Sequence, residues 1–470
     1  MLGYSVAIVN YRAQAPLRKA EAEAKVEAEA EAEAEAYTQK MDVEILSSTS
    51  VKAAVAVGEV EGSIPLTIFD RAAVDLHVPT IYAFRAPMPG NDALKRGLSE
   101  VLSHYRQLAG RLSTDPVSSL PCILLNNAGA RVVEAQVSSP LANHLPLHPS
   151  PALSILYPPI DETVEELLQV QITRFSCGGI ILGTTGHHKA ADGQSMSIFF
   201  LEWSRTVRAM TKGQDRPPPP VVAPVHDRSM LAPCDPPCPK FEHREIEFQS
   251  GAKATASQPP AQFENVVVHF PAEFVASLKA AGGGRYSTFE CLLAHVWKKL
   301  TIARGLDAEV DTHVRIAVNG RARLGPHVPM GYFGNLVLWA HPNLKAGELL
   351  ALNTADVARA IHEGVDEIDD AYFQSFVDFG AVAQEELVSS APVEGISLSP
   401  NLEVDSWLRF DFWELDFGTG RPCAFLPPWL PFEGLFIFMP SYKEKGGVDM
   451  FLAISRDHIP KFKHICHSLD

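Results

Sequence analysis

The sequence predicts two mixed α/β domains, and three observations carry that expectation. The chain has 470 residues, 46% of them hydrophobic, which is more than one ordinary core accommodates. Segments with the two-residue period of a strand and the 3.6-residue period of a helix alternate along most of its length. Near the middle a proline-rich stretch, at 217–220 and then at Pro224, Pro233, Pro236, Pro237 and Pro239, breaks that alternation where neither helix nor central strand tolerates it. The expected division is an extension over 1–40, a first domain over 41–211, a crossover over 212–244 and a second domain over 245–470.

The elements follow in order. Residues 20–36 are nearly pure Ala-Glu alternation, interrupted by Lys25 and Val26. Such a run has no apolar face and sets Glu near Glu one turn on. It predicts a solvated low-complexity extension. The folded part is expected to begin near Met41, a residue that can itself open a chain, with Asp42-Val43-Glu44-Ile45-Leu46 as a first strand. A helix is expected over 93–109, with Leu94, Leu98, Val101, Leu102 and Tyr105 on one face. Two strands over 168–186 meet around Cys177-Gly178-Gly179, and the second delivers the chain to His187. After Asp192-Gly193, a helix carries Met196, Phe199, Phe200, Trp203 and Val207 at helical spacing. Beyond the crossover, Val266-Val267-Val268 reads as a strand. A helix follows from about Pro271, with proline in its first turn. Ser287-Thr288-Phe289-Glu290 is a capping box opening a helix with Leu292, Val296, Trp297 and Leu300. Further strands are expected at 313–319 and 334–340.

Composition narrows the function. A net charge of −16 and a pI near 5.5 argue against nucleic acid and anionic membrane as partners. No apolar run reaches the roughly 18 residues of a membrane span. Asn10, Tyr11 and Arg12 interrupt the only apolar stretch that would serve as a signal core. The seven cysteines are scattered and odd in number. Cys234 and Cys238, separated by Asp235-Pro236-Pro237, have neither zinc nor redox-motif spacing. Reduced thiols in a cytosolic protein are expected.

Two motifs carry chemistry. Gly186-His187-His188-Lys189-Ala190-Ala191-Asp192-Gly193 stands between an expected strand and an expected helix. A histidine there projects into a cleft and, with an ordinary pKa of about 6.5, takes a proton near neutrality. The alternative is a surface or metal-binding histidine pair. Asp416-Phe417-Gly418-Thr419-Gly420, far downstream, is by itself only a tight turn.

Together, in this order, the motifs resemble the BAHD acyltransferase family, whose signatures are His-x-x-x-Asp and Asp-Phe-Gly-Trp-Gly. Further segments agree: Tyr286-Ser287-Thr288-Phe289-Glu290 leading to His295-Val296-Trp297, Val318-Asn319-Gly320-Arg321-Ala322-Arg323, Gly331-Tyr332-Phe333-Gly334-Asn335, and Ser406-Trp407. Thr419 departs from the family's Trp. Three further segments resemble the grass branch that makes hydroxycinnamoyl amides of agmatine, putrescine or tryptamine. They are Pro65-Leu66-Thr67-Ile68-Phe69-Asp70, His226-Asp227-Arg228-Ser229 and the Asp416–Gly420 loop.

The resemblance implies chloramphenicol-acetyltransferase-like architecture with a channel between the domains. It makes His188 the general base and turns Asp192 away from substrate onto an arginine, for which Arg321 is the candidate. Trp407 would support the oxyanion through its indole N–H, against ordinary core packing as the alternative. CoA would bind near Arg285, Ser287 and Thr288, and Asp416, Gly418 and Gly420 would be structural. The implied partners are an acyl-CoA donor and a small acceptor. No metal or cofactor is expected, because a thioester is already an activated donor, and a monomer is expected.

Charge bears on the acceptor. Between Ile361 and Leu408 lie eleven carboxylates, from Glu363 to Asp405, and no Lys or Arg. By resemblance this stretch contributes to the acceptor side, where relatives acting on shikimate or quinate place an arginine and this chain offers none. Asp405, two residues before Trp407, suits a cationic acceptor, and an aliphatic diamine or agmatine is favoured. The bulk of the run reads equally well as a solvated surface. An O-acyltransferase acting on an alcohol or phenol, and a non-catalytic relative, stay open; retention of His188, Asp192 and Trp407 speaks against the latter.

Overall fold

The computed structural model describes residues 41–54, 62–117, 119–161, 163–214, 218–243, 262–324, 328–383 and 395–469. The Ala-Glu extension lies outside these residues. Two sheets of mixed direction organise two domains, each with its own apolar core.

The first sheet runs Glu44–Val51, Ala130–Val137, Leu168–Phe175, Ile180–His187, His77–Phe84, Ala424–Leu426. The last strand comes from the C-terminal part of the chain and pairs antiparallel with His77–Phe84, Phe425 opposite Tyr82. Helices Asn91–Leu102 and Gly193–Thr211 cover the sheet and touch closely. A Cβ on Gly97 would lie 2.3 Å from Val207 Cγ2, and Trp203 Nε1 donates to Leu94 O across the contact at 3.0 Å.

The second sheet runs Val337–Ala340, Asp311–Asn319, Leu402–Ser406, Leu435–Pro440, Val448–Ser455, Phe263–Phe270, with Asn343–Lys345 paired to Asp311–Asn319. Its strands alternate as a two-residue period requires. Val314, Ile316, Val318, Leu402, Val404, Phe436 and Phe438 face the helix Thr288–Arg304 and its neighbours. Leu435, Ile437 and Met439 face the other way, into the core of the first domain. That second face therefore looks onto the interdomain space. The short helix Ile68–Ala72, though early in the chain, packs into the second core. Each domain thus lends one element to the other.

Three expectations need adjustment. The helix expected to 109 ends at Leu102, and a single 3₁₀ turn follows at Arg106–Ala109. Ser103 Oγ turns back onto Glu100 O at 2.6 Å. Tyr105 then leaves helical geometry so that its ring drops between Phe199 and Phe333. Pro271 is the N-cap and precedes the first turn. The strand expected from 334 starts only at Val337. Gly334 adopts φ +154°, a backbone angle that favours glycine, and Asn335 is drawn out of the ladder to the site described next.

Candidate active site

The strand Ile180–His187 ends at the doubled histidine, and the structure sends the two rings to different places. His187 Nε2 lies 3.3 Å from Asp75 and its ring meets His77 edge-on at 4.8 Å. Burial, with His77 beside it, pulls its pKa down to about 4. His188 enters the loop. Its backbone is held on both sides: N–H donates to Leu76 O at 2.9 Å, and C=O accepts from Asn335 Nδ2 at 2.8 Å. The ring is half-buried.

Asn335 fixes the ring's tautomer. Its Nδ2 donates to Asp70 Oδ1 at 3.0 Å and to His188 O at 2.8 Å. Both partners are acceptors, so the amide oxygen faces His188 Nδ1, 3.2 Å away. Nδ1 must therefore carry the hydrogen and donate it, which leaves the Nε2 lone pair free to take a proton. Burial lowers the His188 pKa, against smaller opposing effects of Asp192, the His188 backbone and Asn335. The imidazole is thus neutral, the form a general base requires. Asn335 is itself held. Asp70, fully buried, accepts from its backbone N–H as well as from Thr67 N and Oγ1. Asn335 lies in a segment singled out by sequence, but its role was not legible there; Asp70 was missed in the same way.

Removing this support should act through the histidine. Asn335→Ala is expected to lower kcat about 10²-fold through misplacement of the base, with the KM for acyl-CoA nearly unchanged. Because the Asn335 hydrogen bond raises the His188 pKa, the acid limb of the kcat profile should move to lower pH. Stopped-time assays across pH, with melting curves as a check on folding, test this; an unmoved limb and normal kcat would contradict it.

Asp192 does not point at an acceptor. It caps the helix Gly193–Thr211 by accepting from Ser195 N at 2.9 Å, and accepts from Leu336 N at 3.1 Å. It pairs with Arg321 in bidentate fashion, Nη1 to Oδ2 at 2.8 Å and Nη2 to Oδ1 at 3.1 Å. Both side chains are buried. Arg321 also donates to Ser195 Oγ, Tyr332 O and Gly334 O, so one arginine ties the His188 loop to the segment that supplies Asn335.

Trp407 follows the strand Leu402–Ser406. Its indole packs on Phe412 and Phe425, with centroids 5.5 and 5.8 Å away. Among the described residues its Nε1–H has no hydrogen-bond partner. Its backbone N–H donates to Phe438 O at 2.8 Å, and the Phe438 ring meets Phe289, at 6.2 Å, in the first turn of Thr288–Arg304. That helix N-terminus therefore packs on the strand to which the Trp407 backbone is bonded. Ser287 there is exposed and forms the expected capping box with Glu290. Thr288 opens the helix, and Arg285 is exposed just before it. His362 lies 2.7 Å from Glu290, and the hydrogen bond to that carboxylate raises the His362 pKa.

Asp405 lies on the sheet face turned to the interdomain space, as does Glu403 two residues before it. The carboxylate of Asp405 has no hydrogen bond or ion pair among the described residues. Burial pushes its pKa up to about 7, with Glu403 adding to the effect and Arg315 opposing it. The expectation that no cation stands here needs correction. The stretch has none of its own, but the adjacent parallel strand brings Arg315 opposite Glu403, at 3.2 Å. The acidic run also divides. Glu363, Asp366, Glu367, Asp369 and Asp370 are exposed, and Asp378 is consumed by the backbone N–H groups of Cys234 and Cys238 at 2.8 and 2.9 Å. Glu385, Glu386 and Glu394 lie outside the described residues.

The Asp416–Gly420 loop stands apart from the base. Asp416 Oδ1 accepts from Gly418 N and Gly420 N at 2.8 and 2.9 Å, around φ of +105° and +118° at the two glycines. Oδ2 meets Arg208 at 3.1 Å. At about 1.5 Å per residue along their helix, Arg208 is roughly 24 Å from Asp192. Phe417 is buried against Phe84 and Trp203, while Thr419 is exposed. Among the described residues no cluster of histidine, cysteine and carboxylate side chains is suited to a metal ion, and no helix is long and apolar enough to cross a membrane.

The comparisons with known proteins agree with this geometry. Tryptamine hydroxycinnamoyltransferase 2 of Oryza sativa subsp. japonica is 48% identical over 413 residues, covering 86% of this chain and 93% of the relative. Agmatine hydroxycinnamoyltransferase 1 of the same organism is 44% identical, covering 91% and 99%. Agmatine coumaroyltransferase-1 of Hordeum vulgare is 43% identical, covering 92% and 100%. Among solved structures, vinorine synthase superposes with a TM-score of 0.67 at 22% identity, covering 89% of this chain and 96% of that one; at that identity the likeness bears on the fold alone. The sequence model of the Transferase family matches residues 41–469, and the chain therefore belongs to that family, the BAHD acyltransferases.

Proposed function

We propose that the protein transfers a hydroxycinnamoyl group from its CoA thioester to the nitrogen of a small amine that keeps a second positive charge, as agmatine and putrescine do. The observation that carries the acceptor is Asp405, an inward-facing carboxylate without a hydrogen-bond or ion-pair partner among the described residues, two residues from Trp407. The names of the rice and barley relatives support the same class.

In this reading the neutral nitrogen attacks the thioester carbonyl, and its N–H becomes acidic as the C–N bond forms. His188 Nε2 takes that proton. The tetrahedral oxyanion is supported by the Trp407 indole N–H, a donor whose loss from a dry site costs about 2.7–4 kcal/mol of barrier. Collapse breaks the C–S bond, and the proton on His188 goes to the departing thiolate. The CoA phosphates lie near Arg285 and the N-terminus of Thr288–Arg304, where the helix dipole and the first-turn N–H of Thr288 favour anions, the Ser287 N–H being taken by Glu290. Asp192, through Arg321, positions the loop. The thioester is itself activated, so the reading calls on no metal. We take the protein to work in the cytosol as a monomer; its seven free cysteines support a reducing compartment.

Incubation with p-coumaroyl-CoA and a panel of amines and alcohols, with products identified by mass, tests the reading. Amide products from agmatine or putrescine are expected. An enzyme that ignores every amine and acylates an alcohol would replace it with the O-acyltransferase alternative. Asp405→Asn sharpens the test. It should raise the KM for agmatine by at least about tenfold, since losing one partner of a buried charge pair typically costs 2–5 kcal/mol, and leave that for coumaroyl-CoA close to wild type. Only the ionised carboxylate holds the cation, so wild-type amine KM should climb as pH falls through about 7, and this dependence should vanish in the variant.

A further inference from the structure

We propose that the Arg315–Glu403 ion pair sets the charge selectivity of the acceptor site, cancelling one of its two carboxylates so that the site takes amines keeping one positive charge beyond the reacting nitrogen and disfavours polyamines keeping two. The proposal rests on the amine reading given above and goes on to say which amines.

The charge count is fixed by the sheet. Parallel pairing puts Arg315 beside Glu403 and Ile316 beside Val404, so Ala317 falls next to Asp405. On the face turned to the first domain, the row through Asp405 therefore has only the apolar Ala317 and Ile437 beside it, whereas the row through Glu403 has an arginine on one side and Leu435 on the other. Among the contacts that hold Arg315 are Glu403 at 3.2 Å and the face of Trp339, with the guanidinium carbon 4.1 Å from the ring centroid. Trp339 lies opposite Ala317 on the outer strand. Stacked and paired, the guanidinium is pinned over Glu403 and is not free to swing onto Asp405.

Two further titratable groups near Arg315 add no charge at neutral pH. His313 is held below the ordinary histidine value by burial and by Arg315. His341 is pulled down to about 4 by burial, Arg315 and His313. Among the described residues the two strands that meet at Asp405 thus bring Arg315, Glu403 and Asp405 together, a net charge of −1 once Asp405 is ionised; two strands further along the same face Asp449 is paired with His269 at 2.6 Å, and at its far end Asp311 lies opposite Lys345. A cationic tail balances that charge. A tail with two charges would leave one uncompensated in a desolvated site.

A charge cycle tests this. Wild type, Arg315→Gln, Glu403→Gln and the double variant give this trio net charges of −1, −2, 0 and −1. Initial rates are measured at pH 8.5, above the titration of Asp405, with saturating p-coumaroyl-CoA and with putrescine, spermidine or n-butylamine. In Arg315→Gln the spermidine-to-putrescine ratio of kcat/KM should rise about tenfold, the order expected for one unit charge several ångströms away at an intermediate dielectric. In Glu403→Gln the kcat/KM for putrescine should fall about tenfold while that for n-butylamine holds, because the attraction to a charged tail is gone. The double variant should return the ratio to within about threefold of wild type, which a merely damaged fold does not do. If Arg315→Gln fails to fold, Glu403→Gln and the double variant still decide. An unchanged ratio in Arg315→Gln, or a double variant that does not recover it, overturns the proposal. A wild type that acylates no amine at all overturns instead the reading on which it rests.

Discussion

Replacing His188 with alanine is expected to cut turnover by at least about 10²-fold, the lower end of what general base catalysis supplies. The fold should survive, because the backbone bonds from His188 N to Leu76 O and from Asn335 Nδ2 to His188 O do not involve the ring. The loss should therefore appear in kcat, with binding of acyl-CoA nearly intact and the melting curve little changed. In the wild type, the acid limb that belongs to the base should lie below the ordinary histidine value, since burial outweighs the contributions that raise it. The sign follows directly: the neutral ring is the active form, and it is lost only as pH falls through a depressed pKa. Single-turnover rates with p-coumaroyl-CoA and agmatine across pH measure both effects. Near-normal turnover in the alanine variant would remove His188 from the mechanism.

What the sequence made legible was local. The strand ending at His187, the helix opening at Asp192 and the capping box at Ser287 each depend on residues a few positions apart, and each is where its pattern placed it. The Asp192–Arg321 pair was reachable only through family resemblance. What stayed hidden depends on pairing between distant strands. Asn335 meets Asp70 only because the helix Ile68–Ala72 packs into the second core, and no local pattern reports that crossing. Arg315 meets Glu403 only through the register of two parallel strands, so counting charges along one stretch overlooked a cation standing beside it. The acidic run misled for a related reason. In the helix Thr354–Asp366 the buried positions are Val357, Ala358 and Ile361, and Glu363 and Asp366 fall on the opposite face. Helical spacing, applied before the carboxylates were counted, separates this solvated part from Asp405.

Asp192→Asn is expected to cost roughly 3–5 kcal/mol of stability, the range for breaking a buried ion pair from one side. The substitution keeps an oxygen that can still cap Ser195 N, so the helix start loses little. The charge is what matters. Arg321 has no exposed side-chain surface, and its other partners, Ser195 Oγ, Tyr332 O, Gly334 O and Asn319 Oδ1, are neutral. Without the carboxylate, the guanidinium is a buried charge with only dipoles around it. The amide nitrogen of asparagine would in addition face either an arginine N–H or the Leu336 N–H, a donor against a donor. Arg321→Met should be similarly costly, since it strands Asp192. The double variant should lose less than the sum of the two, because removing both charges removes the uncompensated one. Activity should fall with the geometry of the His188 loop, and at low temperature, where the variant is folded, the pH profile should keep its wild-type shape. Denaturant melts of the two single variants and the double variant give the coupling, and pH profiles of the folded protein give the chemistry. An Asp192→Asn protein as stable as wild type, yet inactive with an altered pH profile, would show that the carboxylate handles a proton rather than holding the loop.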